Sequence, residues 1–286
     1  MQLLLLRYGE IFLKGGNKYQ FLKSLVSNIK AITHHNAKIT QGRIIMEYFE
    51  DHHLLQNVFG LTSYSVCEKI ETEVPIMITY AIKFLSFKSG TFRIDTKRSD
   101  KRFPITSVDL NRLIGEEVEK NTSLQFSLKD ATNILHIEIN TYGTFCFCDE
   151  NTFSCHGGLP SGIEGRVGLL LEDELSELAG VCIMRRGCSV YPIYLNTSVS
   201  STSFSRESIT LSQTKILSRY SPSPIHITSL NSYSDIDNFI VEKKLSCLIV
   251  SSTNLTPRNY PLSCVILHPL VCESSQKIME LQNKYC

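Results

Sequence analysis

Residues 166–187 read RVGLLLEDELSELAGVCIMRRG, and no other stretch constrains the fold as strongly. A short apolar run, Leu169 to Leu171, passes through a turn into an amphipathic helix that stops at Gly187. A strand feeding directly into a helix is the building unit of a parallel α/β sheet. It aims free backbone N–H groups and the positive end of the helix dipole at one point. An anion held there needs glycine in the turn, so that the backbone can approach it. This turn carries Glu172, Asp173, Glu174 and Glu177 instead. Four carboxylates around one helix start repel a polyphosphate. The frame for a nucleotide is present, and its chemistry reads as removed.

The chain has 286 residues, enough for two or three small domains, and 42% hydrophobic content suits a soluble globular protein. A net charge of +1 gives no global basic field, but the charge is uneven. Residues 1–40 carry Arg7, Lys14, Lys18, Lys23, Lys30 and Lys38 against Glu10 alone, and residues 93–102 carry Arg93, Lys97, Arg98, Lys101 and Arg102 against Asp95 and Asp100. Basic residues gathered in one half suit phosphate contacts, although a solvated face reads the same way. The opening MQLLLLRYGE is too short for a signal peptide or a spanning helix and reads as a buried first strand. Ten cysteines without a secretion signal point to a reducing cytoplasm rather than a disulfide framework.

Hydrophobic periodicity sets the expected elements. Leu3–Arg7 is a strand, and residues 17–33 form a helix with Asn17 as its cap. Residues 37–40 and 43–49 form a hairpin turning at Gln41–Gly42. Residues 54–59 are a short helix and 61–70 are extended. This is the β–α–β–β–α–β order of the ferredoxin-like split. A helix at 75–85, a strand at 90–96, a helix at 107–120 and a hairpin of 134–140 with 144–149 follow. Residues 150–165 are rich in Gly, Ser and Pro. The last part alternates strands (169–171, 190–194, 225–229, 248–251) with helices (175–187, 204–220, 234–243, 274–284), which implies a parallel sheet with helices on both faces and Leu170, Ile193 and Ile249 in its core.

Three segments carry a family resemblance: RYGEIFLKGGN at 7–17, KRSDKRFPITSVDLNRLIGEEV at 97–118 and HGGLPSGIEGR at 156–166. Together they resemble the tRNA 4-thiouridine synthetase (tRNA sulfurtransferase) family. The resemblance implies mixed α+β and α/β architecture: a ferredoxin-like domain at 1–60, an RNA-binding THUMP domain at 61–150, a linker at 151–165 and a doubly wound PP-loop ATP-pyrophosphatase domain at 166–286. The chain is too short for the rhodanese domain that some members add. In the family the THUMP domain grips the acceptor end of tRNA. Lys97, Arg98, Lys101, Arg102, Phe103, Pro104 and Thr106 match its RNA-facing loop, with Asp100 and Ser107 alongside. Lys14, Asn17 and Lys18 match the loop before the first helix. The start of the helix at Ser107 and the adjacent cations make a phosphate cradle.

The family's ATP loop, SGGxDSP with x apolar, falls on Leu171, Glu172, Asp173, Glu174, Leu175, Ser176 and Glu177, where only Ser176 is retained. A second nucleotide loop falls on Thr253–Pro261, where Asn254 and Leu255 keep the frame, the Gly, Gln and Ser positions are lost, and Pro257 and Pro261 stiffen the chain. His268 keeps the basic position of the next strand. A family segment rich in Arg and Met is missing between Phe239 and Val241. Sulfur transfer needs an activated thiol, and Cys247, Cys264, Cys272 and Cys286 show no C-x-x-C spacing. Cys146, Cys148, Cys155 and His156 have unusual spacing for zinc. In a strand, Cys146 and Cys148 share one face and Phe145 and Phe147 the other. The doublets His34–His35 and His52–His53 read as surface residues.

The leading expectation is therefore a cytoplasmic tRNA-binding protein, with no membrane segment, no metal, no catalytic residue and no cofactor, that acts alone, as a homodimer or beside a tRNA-modification enzyme. Two alternatives stand beside it. One is an active or partner-dependent tRNA uracil 4-sulfurtransferase, with ATP and Mg²⁺ held by a rebuilt acidic loop. The other is an accessory or dimerisation subunit.

Overall fold

The computed structural model describes residues 1–196, 214–254 and 259–285. The chain divides into two compact units, one of residues 1–7, 36–52 and 62–154, the other of residues 8–35, 53–61 and 155–286.

The first unit is built on one nine-stranded sheet. Strands β1 (Gln2–Tyr8), β2 (Ala37–Thr40), β3 (Arg43–Glu47) and β4 (Leu61–Ile70) lie in the order β2-β3-β1-β4, the ferredoxin-like arrangement expected from the sequence. Leu3, Leu4, Leu5 and Leu6 are all buried, so both faces of β1 are covered, which explains an unbroken apolar run in place of alternation. β4 is ten residues long and joins two sheets into one. Its first half pairs with β9 (Thr152–Ser154), and its second half, Glu68 to Ile70, pairs with β8 (Gly143–Cys148). The order continues through β7 (Asn133–Asn140), β5 (Thr91–Arg98) and β6 (Gln125–Phe126), with β5 parallel to both neighbours.

Helices α2 (Val74–Leu85) and α3 (Ser107–Asn121) cover one face of these strands. Met77, Ala81 and Leu85 with Leu110, Ile114 and Val118 bury Phe92, Ile94, Leu135, Ile137 and Ile139. Each of these side chains larger than alanine contributes roughly 1.5–3 kcal/mol when fully buried. Strand alternation puts Ile137 and Ile139 in this core and sends His136 and Glu138 to the other face. The same rule separates Cys146 from Phe145 and Phe147, which belong to different apolar clusters, as the sequence indicates.

In the second unit α1 (Lys18–Thr33) follows a 3₁₀ segment, Glu10–Asn17, kinked at Gly15 with φ 52°. Asn17 is not the expected side-chain cap: it is itself helical and makes no cap hydrogen bond, because the preceding turn runs straight into α1. Five parallel strands then form a sheet in the order β12-β11-β10-β13-β14, from β10 (Gly165–Leu170), β11 (Cys188–Leu195), β12 (Thr228–Leu230), β13 (Leu248–Ile249) and β14 (Ile266–Leu267). β12 begins later than the expected 225. Leu170 pairs in register with Ile193, and both pack in one cluster with Ile236 and Leu248. Ile249, buried as expected, pairs with Leu169 and packs on the opposite face, against α4 (Ser176–Arg185), α5 (Lys215–Tyr220) and α7 (Ser275–Tyr285). Helix α6 (Tyr233–Glu242) is capped by Ser232, whose Oγ accepts the Asp235 N–H.

The expected helix at 204–220 is described only from Lys215. Residues 204–213, Leu255, Pro257 and Cys286 fall outside the described residues. Strand order reverses between β10 and β13. The turn 171–175 and the segment after Ile249 therefore meet at the carboxyl end of the sheet, where doubly wound folds hold ligands. Among the described residues no helix is long and apolar enough to cross a membrane.

Candidate functional sites

β5 delivers Lys97 and Arg98 to the end of the sheet, and a loop then leads to α3. Thr106 caps α3, its Oγ1 accepting the Asp109 N–H at 3.2 Å. Arg98 is the clamp of the loop. One Nη1 donates to the carbonyls of Phe103 at 2.7 Å and Ile105 at 3.0 Å. The N–H groups of Ser99 and Asp100 both reach the Ile139 carbonyl, at 2.8 and 3.3 Å. Arg102 donates to both oxygens of Asp100, whose carboxyl is held at about 2, first by these hydrogen bonds. The Arg102 side chain still keeps 78% of its surface exposed.

The loop thus serves two cavities. Lys97, Arg98 and Ser107 line a cleft of about 610 Å³ with Arg7, Arg43 and Glu138. Arg102, Phe103 and Pro104 line a separate cavity of about 600 Å³. Lys101 is exposed and lines neither.

The first cleft holds a charge cluster that sequence reasoning missed. Arg43 donates to Glu138 through Nε and Nη2, both at 2.9 Å, and Arg7 Nη2 adds a contact at 3.4 Å. Burial raises the Glu138 pKa, but the bonds and charge of Arg43 and the charge of Arg7 outweigh it, so the carboxyl titrates below its ordinary range. His136 lies between Asp149, 2.8 Å from Nε2, and Asp95, 3.3 Å from Nδ1, and stacks on Phe147. The one signal in the sequence was a lone Glu within NILHIEIN; only the strand order reveals its partners on β1 and β3.

Lys14, Asn17 and Lys18 belong to the second unit. Lys14 Nζ is 2.7 Å from Glu164 and 4.5 Å from the centre of the Phe21 ring. Lys18 Nζ lies 4.3 Å from the Phe12 ring. Asn17 is exposed.

At the carboxyl end of the parallel sheet, the turn after β10 is bonded to itself. Leu171 is buried and its N–H reaches the Ile193 carbonyl. Ser176 is fully buried, and its Oγ accepts the N–H groups of Glu172 at 3.0 Å and Asp173 at 3.1 Å. Asp173 Oδ1 accepts from the Leu175 N–H at 2.9 Å and from the Ser176 hydroxyl at 3.1 Å. The Ser176 N–H reaches the Asp173 carbonyl. Four N–H groups of the turn, those of Glu172, Asp173, Leu175 and Ser176, are therefore engaged within it. Glu172 accepts from the Tyr260 hydroxyl at 2.6 Å, while Asp173 and Glu174 face solvent. Glu177 does not join them: it is buried, and its Oε2 accepts the Ile216 N–H at 3.0 Å at the start of α5. Tyr260 and Ser251, whose Oγ is 3.5 Å from that of Ser176, carry no local motif that would announce them.

Every cysteine with a resolved shift is pushed up by burial: Cys67 and Cys155 to about 12, and Cys146, Cys182, Cys188, Cys247 and Cys264 upward. These thiols stay protonated, the inert form. Cys155 Sγ contacts the Leu55 carbonyl. His156, held near 4 by burial, packs among Phe59, Tyr220 and Tyr285. Among the described residues no group of three or more His, Cys, Asp or Glu could hold a metal ion.

Two family models match: the ThiI ferredoxin-like domain over residues 3–65 and the THUMP domain over residues 79–149. The N-terminal half of the chain is a ThiI ferredoxin-like domain followed by a THUMP domain. Curated proteins that the chain resembles are named probable tRNA sulfurtransferases. A probable tRNA sulfurtransferase of Mycoplasmopsis synoviae (strain 53) is 32% identical over 219 residues, covering 76% of this chain and 57% of the relative. That of Staphylococcus aureus (strain N315) is 31% identical over 239 residues, covering 78% and 58%. The chain thus spans little more than half the length of the curated relatives it matches. Two solved structures share the fold. PH1313 from Pyrococcus horikoshii Ot3 superimposes with a TM-score of 0.83 at 24% identity, covering 99% of each chain. A 4-thiouridine synthetase, solved as an RNA complex with bound ATP, gives 0.82 at 20% identity, covering 99% of this chain and 85% of that one.

Proposed function

We propose that the protein binds tRNA through its ferredoxin-like and THUMP half, residues 1–150, and that its PP-loop-like half, residues 166–286, does not transfer sulfur by itself. The first part is supported by the THUMP match, by relatives named tRNA sulfurtransferase and by a neighbour of the same fold solved with RNA. It is also supported by Lys97, Lys101 and Arg102, cations at the end of a sheet beside a helix start.

The second part rests on one observation. Ser176 and Asp173 fill from within the ring of N–H groups that a triphosphate would need. Breaking these bonds, and bringing a polyanion to Glu172, Asp173 and Glu174, opposes nucleotide binding twice over. The raised thiols are consistent with the same reading.

The test is calorimetry with ATP and Mg²⁺ beside a gel shift with tRNA on one sample. The expected result is a salt-sensitive tRNA complex and no heat from ATP. Replacing Lys97 with Ala lowers the slope of log affinity against log salt by about one. Replacing Arg98 weakens binding as well, by releasing the loop. A quadruple Ala variant of Lys97, Arg98, Lys101 and Arg102 that binds tRNA like the parent overturns the placement of the interface.

A further inference from the structure

We propose that His136 is a positioning residue for RNA binding: as the imidazolium it bridges Asp95 and Asp149, holds two carboxylates back from the cleft that Lys97 lines, and makes tRNA affinity fall as the ring loses its proton. The inference rests on the RNA-binding reading above and adds a regulation to that site. In the sheet, His136 of β7 is in register with Asp95 of β5 on one side and with Phe147 of β8 on the other. Phe147 holds the imidazole by stacking, with ring centres 5.0 Å apart and planes 16° from parallel. Nε2 then meets Asp149 Oδ1 at 2.8 Å, and Nδ1 meets Asp95 Oδ2 at 3.3 Å. The neutral ring carries one N–H and can donate to only one of these carboxylates, while its other nitrogen turns a lone pair on the second. The imidazolium donates to both. The geometry therefore fits the charged ring, and histidine is the side chain that ordinarily changes charge near neutral pH.

The proton matters because the charges of the cleft are nearly balanced. Its charged lining is Arg7 from β1, Arg43 from β3, Asp95, Lys97 and Arg98 from β5, His136 and Glu138 from β7, and Asp149 just after β8. Four cations face three carboxylates, so a proton on His136 takes the net charge of the lining from +1 to +2. Glu138 is already engaged by Arg43 and Arg7. Asp95 and Asp149 are the carboxylates that a phosphate would meet: their side chains are 53% and 65% exposed, against 20% for His136. Lys97 lies two residues beyond Asp95 on the same face of β5. A carboxylate that His136 releases therefore repels a phosphate at the place where Lys97 attracts it. Linkage makes the effect reciprocal: bound RNA draws a proton onto His136.

The experiment is fluorescence anisotropy of end-labelled tRNA with the whole chain, at one ionic strength, between pH 6 and pH 8.5. The affinity of the parent is expected to fall about threefold over this range, the scale of one exposed ion pair. His136→Gln, checked for folding by circular dichroism, keeps a donor for one carboxylate and carries no charge. It binds at the parent's pH 8.5 level throughout, with a flat profile. Adding Asp95→Asn and Asp149→Asn to that variant removes the carboxylates and returns affinity to the parent's pH 6 level at every pH. Asp149→Asn alone, with His136 in place, binds more tightly than the parent at pH 8.5. A residue that merely shaped the cleft would give neither the flat profile nor the recovery. Lys97→Ala weakens binding and keeps the parent's pH dependence. A flat parent profile, a His136→Gln profile parallel to the parent's, no recovery in the triple variant, or Asp149→Asn no tighter than the parent at pH 8.5 overturns the role of His136 and leaves tRNA binding standing. If the parent binds no tRNA at any pH, the underlying reading falls as well.

Discussion

Arg43 grips Glu138 with two hydrogen bonds of 2.9 Å, and Arg7 reaches the same carboxylate from the neighbouring strand. The cluster ties β1 and β3 to β7. Removing one member of a buried ion cluster leaves charge without a partner and costs about 3–5 kcal/mol. Glu138→Ala is therefore expected to lower the urea midpoint steeply, with the loss read from equilibrium unfolding. The pH dependence follows from the sign. The folded carboxyl titrates below its ordinary value of 4.5. Its contribution is full above that value and is lost as pH falls through the lower, folded one. The parent should lose this increment on acidification below about pH 4.5, and Glu138→Ala should show a flatter acid limb.

Gly158 approaches the Arg185 carbonyl so closely that a Cβ would come within 2.3 Å of that oxygen, and its φ is 79°. Strain at positive φ and overpacking each cost about 1–3 kcal/mol. Gly158→Ala is expected to destabilise the second unit by about 3 kcal/mol or more, read as a lower thermal midpoint. Gly16→Ala, where no atom lies within 4 Å of the added carbon, serves as the control and should leave stability nearly unchanged.

This glycine also shows what a sequence can reveal. The HGGLPSG run was legible because a closely packed turn demands glycine wherever it occurs. The apolar run of β1 and the alternation of β7 were legible because burial acts residue by residue. The Arg7–Glu138–Arg43 cluster was not, since it depends on β4 joining two sheets into one, a pairing between residues far apart in the chain. In the acidic turn, spacing identified the lost glycines but not the replacement. Only the fold shows that Ser176 turns inward to occupy the N–H groups, or that Glu177 turns away to meet Ile216. Asn17 misled because a capping residue type was read without the helical turn that precedes it.

Glu177 is buried with its Oε2 on the Ile216 N–H, while its Oε1 has no partner. Burial lifts its pKa from 4.5 to about 7. A raised acid contributes stability that is full below the unfolded value and is lost as pH rises through the folded one. The parent is therefore expected to lose about 1–3 kcal/mol between pH 5 and pH 8 from this group. Glu177→Gln keeps the acceptor and removes the charge. It should match the parent near pH 5 and exceed it at pH 8, as read from paired urea titrations. A parent and variant with parallel pH profiles would refute the assignment.

The acidic turn leads to the sharpest expectation. Two unit charges about 4 Å apart interact by roughly 4 kcal/mol at an effective dielectric near 20. Two or three carboxylates facing a triphosphate therefore cancel what a helix start and one Mg²⁺ ion offer. The exception is a turn in which those carboxylates hold the metal. In this turn Glu172 Oε2 is bonded to Tyr260, and Asp173 Oδ1 to Leu175 and Ser176, so one oxygen of each carboxylate is already engaged within the protein. With tRNA, ATP, Mg²⁺ and a cysteine desulfurase, the protein is expected to form no 4-thiouridine and to show no exchange of pyrophosphate into ATP. Ser176→Gly frees the N–H groups of Glu172 and Asp173 but leaves the carboxylates, so it should not restore ATP binding. Thiolated tRNA formed by the parent and abolished by Glu172→Ala or Asp173→Ala would make the acidic turn a rebuilt active site and overturn the reading.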